Sequence, residues 1–238
     1  MKKAYEIYPF DNAFKAYLLG FLACDSSLYE GDKMRLDIID EPIIKLFAEI
    51  MDANYSLQDK YNKETDKTYH YYRLRKSIKD IIKIYSGRKK ADRIIPYDSI
   101  PKEYLPFLMQ GIFDADGTIR NIKPCDKYVK LDMKIASSEN IVYFVYNLIK
   151  DQLGIEGRIY DMGTYLNYHI FNKYDFISFF QWIYNPLFIP LRRKYERVVN
   201  IIRFILDTNT YVTLPPINNY ILGENIHPYT IKPFYFDN

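Results

Sequence analysis

Apolar and polar positions along the chain fall into two similar successions. Residues 18–25 (LLGFLACD) and 109–116 (MQGIFDAD) are largely apolar runs, each containing one glycine and each ended by an aspartate. Alternation follows: Met34-Arg35-Leu36-Asp37-Ile38 in the first succession and Val129-Lys130-Leu131-Asp132-Met133 in the second, at an offset of 95. Period two predicts strands with one buried and one exposed face. Helical spacing returns over 42–52, with Ile43, Ile44, Phe47 and Ile50, and over 139–152, with Ile141, Val142, Val145 and Leu148. Paired strand-like runs come next, 55–61 with 68–75 and 156–161 with 164–171. Ile78, Ile81, Ile82 and Tyr85 then mark one more helix, as do Phe176, Ile177, Phe180 and Ile183.

The pattern predicts an α+β chain of two related halves, each running helix, two strands, helix, two strands, helix (αββαββα). The halves span 1–91 and 103–206, joined by a linker over 92–102 with Pro96 and Pro101, and 207–238 forms a C-terminal extension rich in Asn, Tyr and Pro. Gly20 aligns with Gly111 and Asp25 with Asp116 at an offset of 91. Gly20 with Cys24, and Gly111 with Ala115, place small residues four apart on one helical face, a spacing that lets two helix backbones approach closely. Glycine inside a helix costs about 1 kcal/mol relative to alanine, so its repetition points to such contact.

Composition narrows the class. With 238 residues, 48% of them apolar, the chain can bury a core and is not disordered. No stretch approaches the roughly 20 consecutive apolar residues of a membrane span, which predicts a soluble protein with no membrane partner. Polar and aromatic residues follow Met1-Lys2-Lys3 where a signal peptide would be apolar, so the expected location is the cytoplasm, or an organellar matrix if organelle-encoded, and not secretion. Two cysteines, Cys24 and Cys125, make neither a disulfide framework nor a thiolate metal centre.

Charge distribution adds more than the net +3 does. Residues 60–93 carry 12 basic and four acidic side chains, a local +8, and Arg192-Arg193-Lys194 with Arg197 and Arg203 form a second basic knot. Such clusters are placed like a polyanion footprint, although a solvated face is the ordinary explanation of any one of them.

Asp25 and Asp116 each end a helix, facing the negative end of its dipole, and across a tight helix pair they would also repel each other. A divalent cation relieves both problems. Carboxylates from two helices, completed by backbone carbonyls, water and phosphate oxygens, suit Mg²⁺ or Mn²⁺ and describe a site for phosphodiester hydrolysis.

At these residues the sequence resembles the LAGLIDADG family of homing endonucleases in its single-chain, two-motif form. LLGFLACDS (18–26) and MQGIFDADG (109–117) resemble the two motif copies, the first departing at Ala23 and Ser26. The resemblance implies motif helices packed at a pseudo-two-fold interface and two antiparallel sheets forming a saddle on double-stranded DNA with a long specific site. It further implies a monomer that cuts both strands across the minor groove with Mg²⁺, leaving short 3′ overhangs. Asp25 and Asp116, with the backbone carbonyls of Cys24 and Ala115, would hold the metal. Lys90 and Lys194 would be the basic residues beginning the last helix of each half, touching the water network at the cut, with Lys89 and Arg193 adjacent. Exposed strand positions would meet DNA, where arginine pairs bidentately with guanine. By parity these are Arg35, Arg73, Arg75, Lys130 and Arg158, with Tyr69, Tyr71, Tyr160 and His169 alongside.

Other readings compete. IFDADGTI also has the form of the haloacid dehalogenase phosphatase signature, but Gln110 and Gly111 break the preceding apolar run and the first copy has no counterpart of Asp114. An intron RNA maturase or a non-cleaving DNA-binding protein would keep the fold and change the chemistry. The presence of both acids favours cleavage.

Overall fold

A computed structural model describes residues 3–29, 31–120, 131–184 and 191–208, with side chains to 205. Lys130, Cys125 and the extension beyond 208 lie outside the described residues.

The first half runs α1 (Ala13–Asp25), β1 (Ser26–Tyr29), β2 (Lys33–Ile38), α2 (Glu41–Ile50), β3 (Tyr55–Asn62), β4 (Lys67–Ser77) and a short α3 (Ile81–Ile84). Three-residue 3-10 turns at Lys90–Asp92, Tyr97–Ser99 and Lys102–Tyr104 lead into the second half. That half runs α4 (Leu105–Asp116), β5 (Gly117–Ile119), β6 (Met133–Ser137), α5 (Glu139–Leu153), β7 (Arg158–Asp161), β8 (Leu166–Ile170), α6 (Lys173–Tyr184) and α7 (Arg192–Thr208). Each half builds one antiparallel four-stranded sheet, ordered β1-β2-β4-β3 and β5-β6-β8-β7. The expected two-half αββαββα architecture, with paired motif helices at its centre, is present. Among the described residues no helix is long and apolar enough to cross a membrane.

The helix starts follow local chemistry. Asn12 caps α1 by accepting a hydrogen bond from the Lys15 amide at 3.0 Å, and proline stands in the first turn of both α2 and α4, where no amide partner is needed. The core is continuous through both halves. Residues Ala16–Cys24 of α1 are all buried, as are Leu108–Asp114 of α4, and the inward rows Met34, Leu36, Leu74 and Met133, Ile135, Tyr168 cover the sheets' inner faces.

Two expectations are corrected. The second alternating strand is described at Met133–Ser137, four residues on from the expected 129–133, of which 129 and 130 lie outside the described residues. Gly117 pairs with Ile135 as Ser26 pairs with Leu36, so the counterpart of Arg35 is Lys134, and the repeat offset is 99 here instead of 95. Alternation continues from Val129 to Ile135, past the expected end at Met133, so periodicity could not choose the window; pairing with β5 does. The predicted helix over 78–85 shrinks to one turn at Ile81–Ile84, entered through Asp80 at φ +57° and left through Ser86 at φ +55°.

Candidate metal centre and nucleic-acid face

The site begins with the packing of α1 on α4. A Cβ on Gly20 would lie 2.1 Å from the carbonyl oxygen of Leu108, and one on Gly111 would lie 2.1 Å from that of Tyr17. The contact is reciprocal, since Tyr17 and Leu108 are themselves repeat partners. Backbone therefore lies on backbone, and the two helices end side by side at Asp25 and Asp116.

Two buried cations fasten those ends. The Lys194 ammonium donates to the carbonyls of Phe113 at 2.7 Å, Asp114 at 2.8 Å and Gly117 at 2.5 Å. The Arg93 guanidinium, 1% exposed, donates to the carbonyls of Leu22, Ala23 and Ser26, each at 2.9 Å. These acceptors correspond one to one at the motif offset of 91, so Arg93, not Lys90, is the counterpart of Lys194. Helix ends leave carbonyls without intrahelical partners, and a buried cation both satisfies them and offsets the dipole. The intervening carbonyls of Cys24 and Ala115 are not among the acceptors of either cation. Sequence reasoning missed Arg93 because it is one of 12 basic residues over 60–93; its apolar sequel, Ile94-Ile95, was the available sign that it turns inward.

Lys90 has a different place. It sits on a 3-10 turn, not at a helix start, and its ammonium lies 2.8 Å from Asp116 Oδ2. The second half holds that turn: Ser138 Oγ donates to the Lys90 carbonyl at 3.2 Å and Asn140 Nδ2 to that of Ala91 at 2.9 Å. Reciprocally, Arg193 makes two bonds, 2.7 and 2.8 Å, to Asp40 at the start of α2. Each half's basic knot thus docks beside the first turn of the other half's sheet-covering helix.

Asp116 is largely covered, with a side chain 13% exposed, whereas Asp25 opens to solvent. Although the Asp25 residue is exposed at its outer side, its carboxyl is pushed up to about 6, first by the partial loss of water to the protein around it and then by the Asp116 carboxylate, while Lys90 and Lys194 pull it down. Two acids sharing a field in this way have a use for added positive charge. Burial, and then Asp116, also drive the Cys24 thiol upward, so it stays protonated.

Asp114, the acid that the first copy lacks, does not join them. It is buried between the helices, where its Oδ2 accepts from the Tyr17 hydroxyl at 3.0 Å and burial raises its pKa. Lys194 beside it is lowered by the same desolvation.

On the first sheet, Arg35, Arg73, Arg75, Tyr69 and Tyr71 share the outward face by register and parity, with Arg75 directly opposite Arg35. Arg73 is engaged: its Nε and one terminal nitrogen bond Asp37 at 2.7 and 2.9 Å, and it donates to the Tyr71 hydroxyl at 2.9 Å. This bidentate pair holds the Asp37 carboxyl below its ordinary range. On the second sheet, Arg158, Tyr160 and His169 share the outward face with Lys134, which the sequence reading missed through the misplaced strand. His169 Nδ1 lies 2.7 Å from Asp132 Oδ1, and its ring stacks on Phe171 at 5.2 Å.

The donor set fits a hard, oxygen-seeking cation. Among the described residues there is no group of three or more His, Cys, Asp and Glu side chains able to hold a metal, so carboxylates alone would have to be completed by carbonyls, water or a phosphate.

No protein-family model matches the sequence, and no curated protein matches it. Solved structures do resemble it. Full-length DUF199/WhiA from Thermatoga maritima superposes with a TM-score of 0.57 at 14% identity over 87% of this chain, which spans 65% of that protein. The homing endonuclease I-WcaI bound to its DNA recognition sequence gives 0.57 at 16% identity, over 77% of this chain and 84% of that one. The LAGLIDADG meganuclease I-CpaMI bound to uncleaved DNA gives 0.56 at 11% identity, over 83% and 93%. At such identities the likeness is one of fold, and it agrees with the reciprocal helix pair and the two matched sheets: this chain has a pseudo-dimeric, two-motif LAGLIDADG-like fold.

Proposed function

We propose that the protein is a site-specific, divalent-metal-dependent endonuclease for double-stranded DNA, acting as a monomer. The observation that carries this reading is the pair Asp25 and Asp116, brought to one end of a tight helix pair and raising the proton affinity of Asp25. A structural role alone gives no reason to place two acids at the negative ends of two adjacent helices. Outward sheet faces bearing Arg35, Arg75, Lys134 and Arg158 add the cationic surface that a duplex requires.

In this reading Asp25 and Asp116 hold Mg²⁺ or Mn²⁺, with the carbonyls of Cys24 and Ala115 as neighbouring oxygen donors. A bound divalent ion would polarise the scissile phosphate and lower the pKa of an attacking water. The chain's own groups prepare that state. Lys90 pairs with Asp116 and presents an ammonium to the phosphate region. Arg93 and Lys194 fix the carbonyls just before each acid and so set where each carboxylate points. The outward strand residues hold the duplex by phosphate and base contacts.

The test is incubation of the full chain with a randomised duplex library in Mg²⁺, sequencing the cut ends. The expected result is recurrent double-strand cuts with short 3′ overhangs, lost in Asp116→Asn while duplex binding persists. Binding without nicking in either Mg²⁺ or Mn²⁺ overturns the catalytic reading.

A further inference from the structure

A helix cap ordinarily serves its own helix, and two do so here. Asn12 accepts from the Lys15 amide at the start of α1, and Asn172 accepts from the Tyr174 amide at 2.8 Å at the start of α6. Asp40 and Ser138 stand at the starts of α2 and α5, the helices that cover the two sheets, and both are residue types that favour this position. Neither side chain bonds an amide of the helix it begins. Each reaches across to the other half instead: Asp40 takes both bonds of the Arg193 fork, and Ser138 donates to the carbonyl of Lys90, with Asn140 donating to that of Ala91.

The diversion occurs in both halves, and adhesion does not explain it. The halves are already joined by the backbone contact of α1 on α4, and the Arg193 side chain is 47% exposed, where an ion pair contributes little to stability. What the two contacts share is their place along the chain. Asp40 comes just after β2, which carries Arg35 outward, and Ser138 directly follows β6, which carries Lys134. At the other end, Arg193 is next to Lys194, whose ammonium holds the carbonyls on either side of Asp116. The turn bearing Lys90 leads directly into Arg93, which holds the carbonyls on either side of Asp25. Each sheet is thereby tied to the end of the other half's motif helix.

We propose that Asp40 and Ser138 are positioning residues that couple duplex engagement by one sheet to the acid carried by the other half, so that both half-sites must be held before either strand is cut. The assignment rests on the endonuclease reading above and adds its control. A duplex that shifts β2 or β6 shifts the cap behind the strand, and a misplacement of about 1 Å in a reacting site is enough to change a rate roughly a hundredfold.

The experiment uses a cleaved duplex recovered from the library. Affinity in calcium buffer and single-turnover cutting at saturating duplex in Mg²⁺ are measured for the full chain, Asp40→Ala, Arg193→Ala, that pair combined, Ser138→Ala combined with Asn140→Ala, and Asn172→Ala, each shown by thermal melting to be folded at the assay temperature. Affinity should stay within about threefold of wild type, while cutting slows by about tenfold or more in Asp40→Ala and in the Ser138 and Asn140 double variant. Combining Asp40→Ala with Arg193→Ala should slow cutting no further than Asp40→Ala alone, because the two side chains form one contact. Asn172→Ala removes an ordinary cap and should cut at the wild-type rate. A base change in the half-site under the first sheet should slow wild-type cutting at saturation and add little to the slowing in Asp40→Ala. Cutting within about twofold of wild type in either cap variant, equal slowing in Asn172→Ala, or a base change that acts at full strength in Asp40→Ala overturns the coupling and leaves the endonuclease reading standing. A wild-type chain that cuts no duplex overturns the proposed function, and this inference with it.

Discussion

Lys90, carried by the first half, meets Asp116, carried by the second, at 2.8 Å. The bond crosses the boundary between the halves, and the turn bearing Lys90 is held from the far side by Ser138 and Asn140. No equivalent lysine stands at Asp25: three residues before Lys194, as Lys90 is three before Arg93, the chain has Leu191.

Replacing Lys90 with methionine should lower cleavage at neutral pH by tenfold or more. It should also move the acid limb of the pH–rate profile upward, because Lys90 is one of the charges holding the Asp25 carboxyl down toward about 6. Single-turnover rates between pH 5 and 9 measure both effects, and an unshifted limb would remove Lys90 from the electrostatics of the site.

Asp25 also makes a prediction for stability. Its folded pKa of about 6 lies above the ordinary 3.8, so the ionised form disfavours folding. The penalty is absent below about pH 4, develops as pH rises, and is complete above about pH 6. Asp25→Asn should therefore raise the melting temperature at pH 7.5 and leave it nearly unchanged at pH 4. Mg²⁺ should raise the melting temperature of the wild-type chain at pH 7.5, and chelation should reverse the gain, with a smaller response in Asp25→Asn.

Arg93 should behave as a buried strut. Arg93→Met leaves carbonyls of Leu22, Ala23 and Ser26 without their donor and should cost about 3 kcal/mol or more, read by urea denaturation. Arg93→Lys should recover part of that loss, since Lys194 serves three corresponding carbonyls with a lysine. Equal losses in the two variants would argue that volume, not donation, is what the position supplies.

Gly20→Ala and Gly111→Ala each push a methyl to within 2.1 Å of a facing carbonyl oxygen. Neither neighbour is a flexible side-chain end, so each substitution should destabilise by about 3 kcal/mol despite alanine's better helix propensity. Thermal melts decide this; a gain in stability would mean that the helices are not in backbone contact.

The repeat, the paired strands and the acids were legible because each is written in spacing: glycine and aspartate recur five residues apart in both copies, and apolar periods switch between two and 3.6. What was not legible depends on choices that spacing leaves open. The alternation around Met133 runs on to Ile135, and only cross-strand pairing selects the segment that becomes β6. Likewise the stretch from Arg88 to Arg93 announces charge, but which cation turns inward is decided by the 3-10 turn over Lys90–Asp92. The roles of Arg35 and Arg73 also diverge only in three dimensions, once Asp37 is seen to take one of them.

The buried bond between Tyr17 and Asp114 has no mirror image, because their repeat partners are Leu108 and Ala23. Two copies of the second half associating with each other would leave each Asp114 facing leucine, with an acid buried and no hydroxyl to receive it. Two copies of the first half would set tyrosine hydroxyls against alanine. Each half therefore selects the other over itself. A chain that arose by duplication of a self-pairing ancestor would by this exchange have lost the way back to a symmetric assembly, leaving the two halves free to diverge as a matched and unequal pair.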